Sequence, residues 1–194
     1  MTVGGYDAFD DPYAYKGISV LKNRLKTRDA AVLAAFEMEM TALRAEEPLP
    51  RGRYGPTHYC AVRRHLFQDV YRWAGRYRTV RTAKDGNWFC FPENIPREMK
   101  RVFGGLRRSS FLSVRRIDNF AAGAADFLAE LNAIHPFREG NGRAQLSFLH
   151  LLALRSGYPL DLSRIRPEPF LRAMVASFAG DVKPLIREIA SLGA

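Results

Sequence analysis

The stretch His135-Pro136-Phe137-Arg138-Glu139-Gly140-Asn141-Gly142-Arg143 decides how this chain is to be read. It places a base, an acid, an amide, two glycines and an arginine within nine residues, and a strongly apolar segment follows at once. Backbone N–H groups left clear by glycine, at the positive end of a helix, are what a phosphate-handling loop needs. His135 is the candidate general base, because an imidazole titrates near working pH. Glu139 is the candidate Mg²⁺ ligand, since that ion takes one or two carboxylates together with phosphate oxygens and water. Gly140 and Gly142 let backbone approach a phosphate closely. Asn141 can give its amide to a phosphate oxygen or cap the next helix. Arg143, in a helix's first turn, opposes the helix dipole and is best explained by an anion in front of it. Phe137 is expected to point inward and pin the loop. Together the groups suit phosphoryl-type transfer, which rests mainly on positioning and charge stabilisation.

Outward from this loop the chain reads as helices. Thr27 or Asp29 starts a helix over about 29–46, with Val32, Leu33, Phe36, Met40 and Leu43 on one face, ended by Pro48 and Pro50. Residues 20–26 are expected to make one short helical turn before it. A second helix over about 57–74 is capped by Thr57 and ended by Gly75. His58 and His65 lie on one face of it, too far apart for joint ligation, and are read as structural or solvent-facing. Residues 77–92 change to strand, turn, strand, with Asp85-Gly86 as the tight turn. A lone hairpin is marginal in water, so Lys84, Asp85, Gly86, Asn87, Trp88 and Phe89 are read as a flap on which a partner segment adds a strand. Helices over about 94–107 and 115–134 follow, the second delivering His135 at its C-terminal end. The helix over about 142–156 is apolar on nearly all sides and is expected to be the buried centre. Two or three short helices over 160–194 close the chain.

With 194 residues, 47% apolar and 26% charged, the chain has the composition of one soluble globular domain spanning 1–194. No apolar run is long enough to span a membrane. The N-terminus is acidic and polar rather than a secretory signal. Cys60 and Cys90 form neither a disulfide framework nor a metal pattern, which fits reduced thiols and a cytoplasmic location. The net charge of +10 fits an acidic or phosphorylated partner, but the arginines are dispersed rather than massed in an arm, so nucleic acid is an unlikely direct ligand.

The nine residues match every specified position of HxFx[DE]GNGR, and with them the chain resembles the Fic family over roughly 6–190. The segment Leu66 to Gly75 before the hairpin fits the same pattern. The resemblance implies an all-α fold, a helical bundle with a small β-hairpin flap over the active-site loop. It implies a protein adenylyltransferase that moves AMP from ATP to a hydroxyl of a target protein. His135 would deprotonate that hydroxyl, and Glu139 would hold Mg²⁺ on the phosphates. Gly140, Asn141 and Gly142 would form the anion hole, Arg143 would meet the β-phosphate region, and the flap at 84–89 would present the target segment. The family's last motif arginine falls at position 146, where this chain has Leu146. That departure keeps open a different nucleotide pose or donor, such as a Doc-like kinase or another nucleotidyl transfer, and a non-catalytic binding module. Doc-type members carry lysine where this chain keeps Gly142, which favours AMP transfer, and Arg138 is a candidate to replace the missing cation. The family's inhibitory motif [ST]xxxE[GN] does not occur: Thr41 is followed four residues on by Ala45, and Ser177 by Asp181. The chain therefore resembles stand-alone bacterial Fic toxins held by a separate small antitoxin, with a type II topoisomerase among the targets that the resemblance suggests.

Overall fold

Asp29 begins the first helix as its sequence predicts. Its carboxylate accepts from the amides of Ala31 and Val32, and α1 runs Ala30–Glu46. The computed structural model describes residues 11–84, 86–113 and 117–193. Six further α-helices follow: α2 Pro56–Phe67, α3 Ile95–Arg108, α4 Ile117–Ile134, α5 Asn141–Ser156, α6 Pro167–Phe178 and α7 Lys183–Ala190. Between α2 and α3 lies one hairpin of β1 Ala83–Lys84 and β2 Asn87–Trp88, antiparallel, pairing Ala83 with Trp88 and Lys84 with Asn87. The start expected near 115 for α4 and the turn residue Asp85 lie outside the described residues. No described helix is long and apolar enough to cross a membrane.

Helix α4 is the hub, packing on α3, α5, α6 and α7, while α2 joins α1 to α5. Its small residues Ala121, Ala124 and Ala125 are fully buried, so neighbouring backbones approach closely. Aromatic rings fill the space between α2 and α5. Tyr59 stacks on Phe137 at 5.4 Å, and Phe148 meets Tyr59, Phe103 and Phe127 edge-on or tilted. Each buried ring of this size contributes about 1.5–3 kcal/mol by its removal from water.

Several local expectations need correction. Residues 20–26 form no helix; Leu21 pairs with Ala14 in an isolated bridge instead. Helix α2 begins at Pro56 after Gly55, so Thr57 is not its cap, and it ends at Phe67 rather than 74. The chain turns there because the Val70 amide bonds back to Phe67 and the Val70 carbonyl accepts from Arg24, which closes off a continuing helix. On α1, Val32 and Leu43 face solvent. The inward face is set one residue later and carries Leu33 and Thr41, with Phe36 and Met40 packed beside them. Helix α5 is one-sided: Phe148, Leu149, Leu152 and Ala153 are buried, Leu146 and Leu151 half-buried, and Leu154 exposed. The histidine pair is structural. His58 Nε2 lies 2.6 Å from the Pro50 carbonyl and His65 Nε2 lies 2.8 Å from the Arg44 carbonyl, so each ring ties α2 to a neighbouring segment.

Candidate active site

The site sits where α4 ends and α5 begins. Pro136 cannot extend α4, and the chain leaves the helix through His135 at φ 49°. That left-handed value costs a non-glycine residue about 1–2 kcal/mol, so the surroundings must hold it. Arg78 does so. Its Nε donates to the His135 carbonyl at 2.8 Å and its Nη2 to the Ile134 carbonyl at 3.1 Å. Its backbone N–H donates to Pro136 at 2.9 Å. The same buried guanidinium also reaches the two roots of the hairpin: Nη1 donates to the Val80 carbonyl at 2.6 Å, and Nη2 donates to the Cys90 carbonyl at 2.5 Å as well as to Ile134. One side chain thus fastens the flap to the motif loop.

The imidazole of His135 is fixed from two sides. Nδ1 lies 3.3 Å from the Asn132 carbonyl, so it carries the proton and leaves Nε2 with its lone pair. The Phe89 ring stacks on it with centroids 3.9 Å apart. Burial pushes the His135 pKa down to about 3, against the pull of the Asn132 carbonyl, and Arg78 and Lys84 push the same way. The base is therefore neutral at neutral pH. Phe89, read from the sequence as part of the flap, has its ring buried between His135 and Phe178. Lys84, Gly86, Asn87 and Trp88 form the hairpin tip, where Trp88 is exposed and Arg81 lies over its ring. The strands are shorter than expected because the chain beyond them bonds elsewhere: the Cys90 N–H goes to Ala133 on α4.

Asn141 departs from its expected role. It is fully buried; its amide nitrogen donates to the Phe137 carbonyl at 2.8 Å and its oxygen accepts from the Phe137 amide at 3.0 Å. Both ends of the side chain thus bond to the Phe137 backbone and close the loop. Gly140 has φ 78°, and a Cβ there would fall 2.2 Å from the Phe67 ring, so glycine is required for backbone and for packing. A Cβ on Gly142 would meet nothing within 4 Å, which leaves open space in front of the first turn of α5. No side chain caps that turn, and its N–H groups face outward as helix-start donors do.

Glu139 points its Oε1 at the Gly140 amide, 2.8 Å away. Its pKa is raised, first by burial and then by the charge of Glu37, while the Gly140 amide and the Arg143 and Arg138 charges oppose the rise. The Glu139 carbonyl is held by Arg63, which is fully buried among the Phe67, Trp73 and Phe137 rings. Burial lowers the Arg63 pKa to about 10. Arg143 lies against the Phe67 ring and donates to Thr41 Oγ1 at 2.9 Å and to the Glu37 carboxylate, which also accepts from the Tyr71 hydroxyl. Arg138 is committed elsewhere: it is buried in an ion pair with Asp11 at 2.8 Å, so it does not substitute for a cation at position 146. Leu146 itself packs against the core one turn into α5.

The loop residues 135–143 therefore converge, while Glu37, Arg63, Tyr71 and Arg78 complete the site without having been singled out from the sequence. A signal existed for two of them. Glu37 precedes Thr41 by one helical turn on the buried face of α1, and Arg63 falls on the Tyr59–Leu66 stripe of α2, where a lone charge needs a partner. Among the described residues no cluster of three or more His, Cys, Asp or Glu could hold a metal alone. A single carboxylate beside open phosphate space suits an ion that borrows its remaining ligands from a nucleotide.

Residues 54–153 match the model of the Fic/DOC family. The chain is 51% identical over 185 residues to a probable protein adenylyltransferase of Sinorhizobium fredii, covering 95% of this chain and 96% of that protein. It is 37% identical over 179 residues to a probable protein adenylyltransferase Fic of Salmonella typhimurium, covering 90% and 88%. The crystal structure of the BepC protein of Bartonella tribocorum with bound AMPPNP superposes with a TM-score of 0.84 at 26% identity, covering 94% of this chain and 96% of that one. The family match over residues 54–153 and the 51% identity across nearly the whole chain show that the chain belongs to the Fic/DOC family.

Proposed function

We propose that this protein is an adenylyltransferase that moves AMP from ATP to a hydroxyl side chain of a target protein. The observation that carries the reading is His135: neutral, clamped by Phe89, and oriented by the Asn132 carbonyl so that Nε2 can accept a proton. The target oxygen attacks the α-phosphorus, the bond from that phosphorus to the bridging oxygen breaks, pyrophosphate leaves, and His135 takes the hydroxyl proton. The backbone at the start of α5 receives the α-phosphate oxygens. Arg143 turns from Glu37 and Thr41 toward the departing phosphates. Mg²⁺, when bound, neutralises phosphate charge, and Glu139 would hold it. Burial and Glu37 both disfavour the bare Glu139 carboxylate, and a divalent cation reverses that penalty. The hairpin, whose Gly86, Asn87 and Trp88 are exposed, adds a strand from the target and delivers its hydroxyl.

Leu146 favours a second reading, in which the nucleotide is bound in another pose or the γ-phosphate is transferred. Incubation with Mg²⁺ and α- or γ-labelled ATP in a bacterial lysate separates the two. Adenylyl transfer predicts label on protein from the α-position alone, abolished by His135→Ala; label from the γ-position alone overturns it. The same proposal takes the protein as a cytoplasmic toxin restrained by a separate small partner, with a type II topoisomerase among the candidate targets. Growth arrest on expression, relieved by His135→Ala, is the expected outcome.

A further inference from the structure

At the far end of α5 from the motif lies a cavity of about 650 Å³ whose chemistry the reaction does not use. Arg155 in its wall is twelve residues beyond Arg143 in the same helix, a separation of about 18 Å at 1.5 Å rise per residue. Its charged lining residues are Arg53, Lys100, Arg107 and Arg155, and among the described residues no acidic one lines it. Another cavity of similar size, beside α2, is also rich in arginine, but it includes Asp69, which Arg44 holds at 2.6 Å. Four cations around one concavity repel one another unless an anion joins them.

Two further features point into the same space. Helix α2 opens on it through Gly55 and Pro56, and no side chain caps that helix start, so its positive end adds to the four side chains. The rim is also built in a costly conformation. Tyr54 has φ 54° and Phe111 has φ 58°, within a left-handed run from Ser110 to Leu112. The run is held in place, with Ser156 Oγ donating to the Phe111 carbonyl at 3.0 Å and the Tyr54 hydroxyl donating to the Leu151 carbonyl at 3.4 Å. Both rings bear on Arg155, at 4.9 Å and 4.3 Å, which steadies its guanidinium at the cavity edge. Strain maintained by such bonds marks sites more often than neutral surface.

We infer that this cavity is a second anion site that takes a compact polyphosphate, of the kind found in inorganic tripolyphosphate or a nucleotide's phosphate tail. A concavity of this volume holds a small molecule rather than an extended strand. The test is a titration with tripolyphosphate, followed by amide shifts in the intact protein. Gly52, Gly55 and Gly104 report on the cavity, and Gly140 and Gly142 report separately on the motif loop. Saturable shifts of the first set are expected in the wild-type chain and in Arg143→Ala. The affinity should fall about tenfold or more in Lys100→Glu/Arg107→Glu, whose positions are exposed on α3, and also in the single loop variant Arg53→Glu. Unmoved cavity amides, an unchanged curve in both charge-reversed variants, or shifts caused only by a ten-residue oligothymidine would overturn the inference.

Discussion

Replacing Arg78 by lysine isolates what the clasp between flap and loop contributes, because the charge stays and only the fork is lost. The guanidinium donates, at 2.5–3.1 Å, to carbonyls on two separate segments: Val80 and Cys90 at the hairpin roots, and Ile134 and His135 at the loop. A lysine ammonium is one point with three donors and cannot reach both sides in this geometry. If it keeps two carbonyls, two are left buried, at about 1–3 kcal/mol each for an unpaired group. A loss of about 4 kcal/mol is expected, a large share of the roughly 5–15 kcal/mol available to a domain of this kind. With a urea m-value near 2 kcal/mol/M, the midpoint should drop by about 2 M. Catalysis should fall further than nucleotide binding. The released segment carries His135 in its left-handed conformation, and a shift of about 1 Å in a reacting group can cost about a hundredfold in rate. The assay is urea unfolding beside steady-state AMP transfer. A midpoint shift under about 0.5 M, or a KM for ATP that rises while kcat holds, refutes the reasoning, since about 1 kcal/mol is no more than one ordinary hydrogen bond.

Glu37→Gln should strengthen ATP binding up to about fivefold, because a partly exposed ion pair contributes at most about 1 kcal/mol yet holds Arg143 away from phosphate and adds negative charge beside Glu139; a raised KM for ATP sinks this account. The two motif glycines should part company. Gly140→Ala forces a methyl group into the Phe67 ring at positive φ and should cost about 3 kcal/mol or more, measured by thermal unfolding, whereas Gly142→Ala should fold as the wild type and lose nucleotide affinity. Stability below neutrality should depend on His135. Its folded pKa of about 3 lies below the unfolded value of 6.5, so between those limits the unfolded chain binds more protons and stability falls as pH falls, by an upper bound of about 5 kcal/mol. Glu139, with its pKa raised, acts with the opposite sign, so the informative quantity is the difference in pH slope between wild type and His135→Asn, which should be shallower in the variant. Equal slopes would mean that the imidazole is solvated.

The parts legible in the sequence are those whose determinants lie close together along the chain. The loop 135–143 carries its own stop at Pro136, its own glycines and its own helix start. Asp29 caps α1 through amides two and three residues away. What sequence periodicity misses is set by partners far along the chain. Helix α2 stops at Phe67 because Arg24 takes the Val70 carbonyl, a bond across 46 positions that no local signal announces. The inward face of α1 is displaced by one residue because Glu37 and Thr41 have a use there, as acceptors for Arg143 and Tyr71, which an apolar stripe does not anticipate. Asn141 was readable as a phosphate donor or a cap on the next helix; its pairing with the Phe137 backbone depends on the path of that residue, whose ring stacks on Tyr59.

The charge arrangement explains how the site can lack a cation at position 146 and remain organised. Three arginines in or beside the loop are already spoken for: Arg63 by the Glu139 carbonyl, Arg78 by the flap and the end of α4, Arg138 by Asp11. They are scaffold charges, buried and fixed, and their work is to hold the backbone. Arg143 differs. Its side chain remains 40% exposed, and its partners, one carboxylate and one hydroxyl, sit on α1 rather than on the loop. It is the motif cation whose present contacts a triphosphate could match without dismantling the loop. Leu146 contributes only apolar contact; in the adenylyl transfer proposed above, the grip on the distal phosphates would rest on Arg143 and the metal, and its strength would be set by how readily α1 lets that side chain go. Leu146→Arg would add a second cation in the open space beside the first turn of α5, and it should therefore lower the KM for ATP most where Glu37 still competes for Arg143. In a double-mutant cycle, the gain from Leu146→Arg should shrink in the Glu37→Gln background; strictly additive effects would show that the two side chains do not act on the same phosphates.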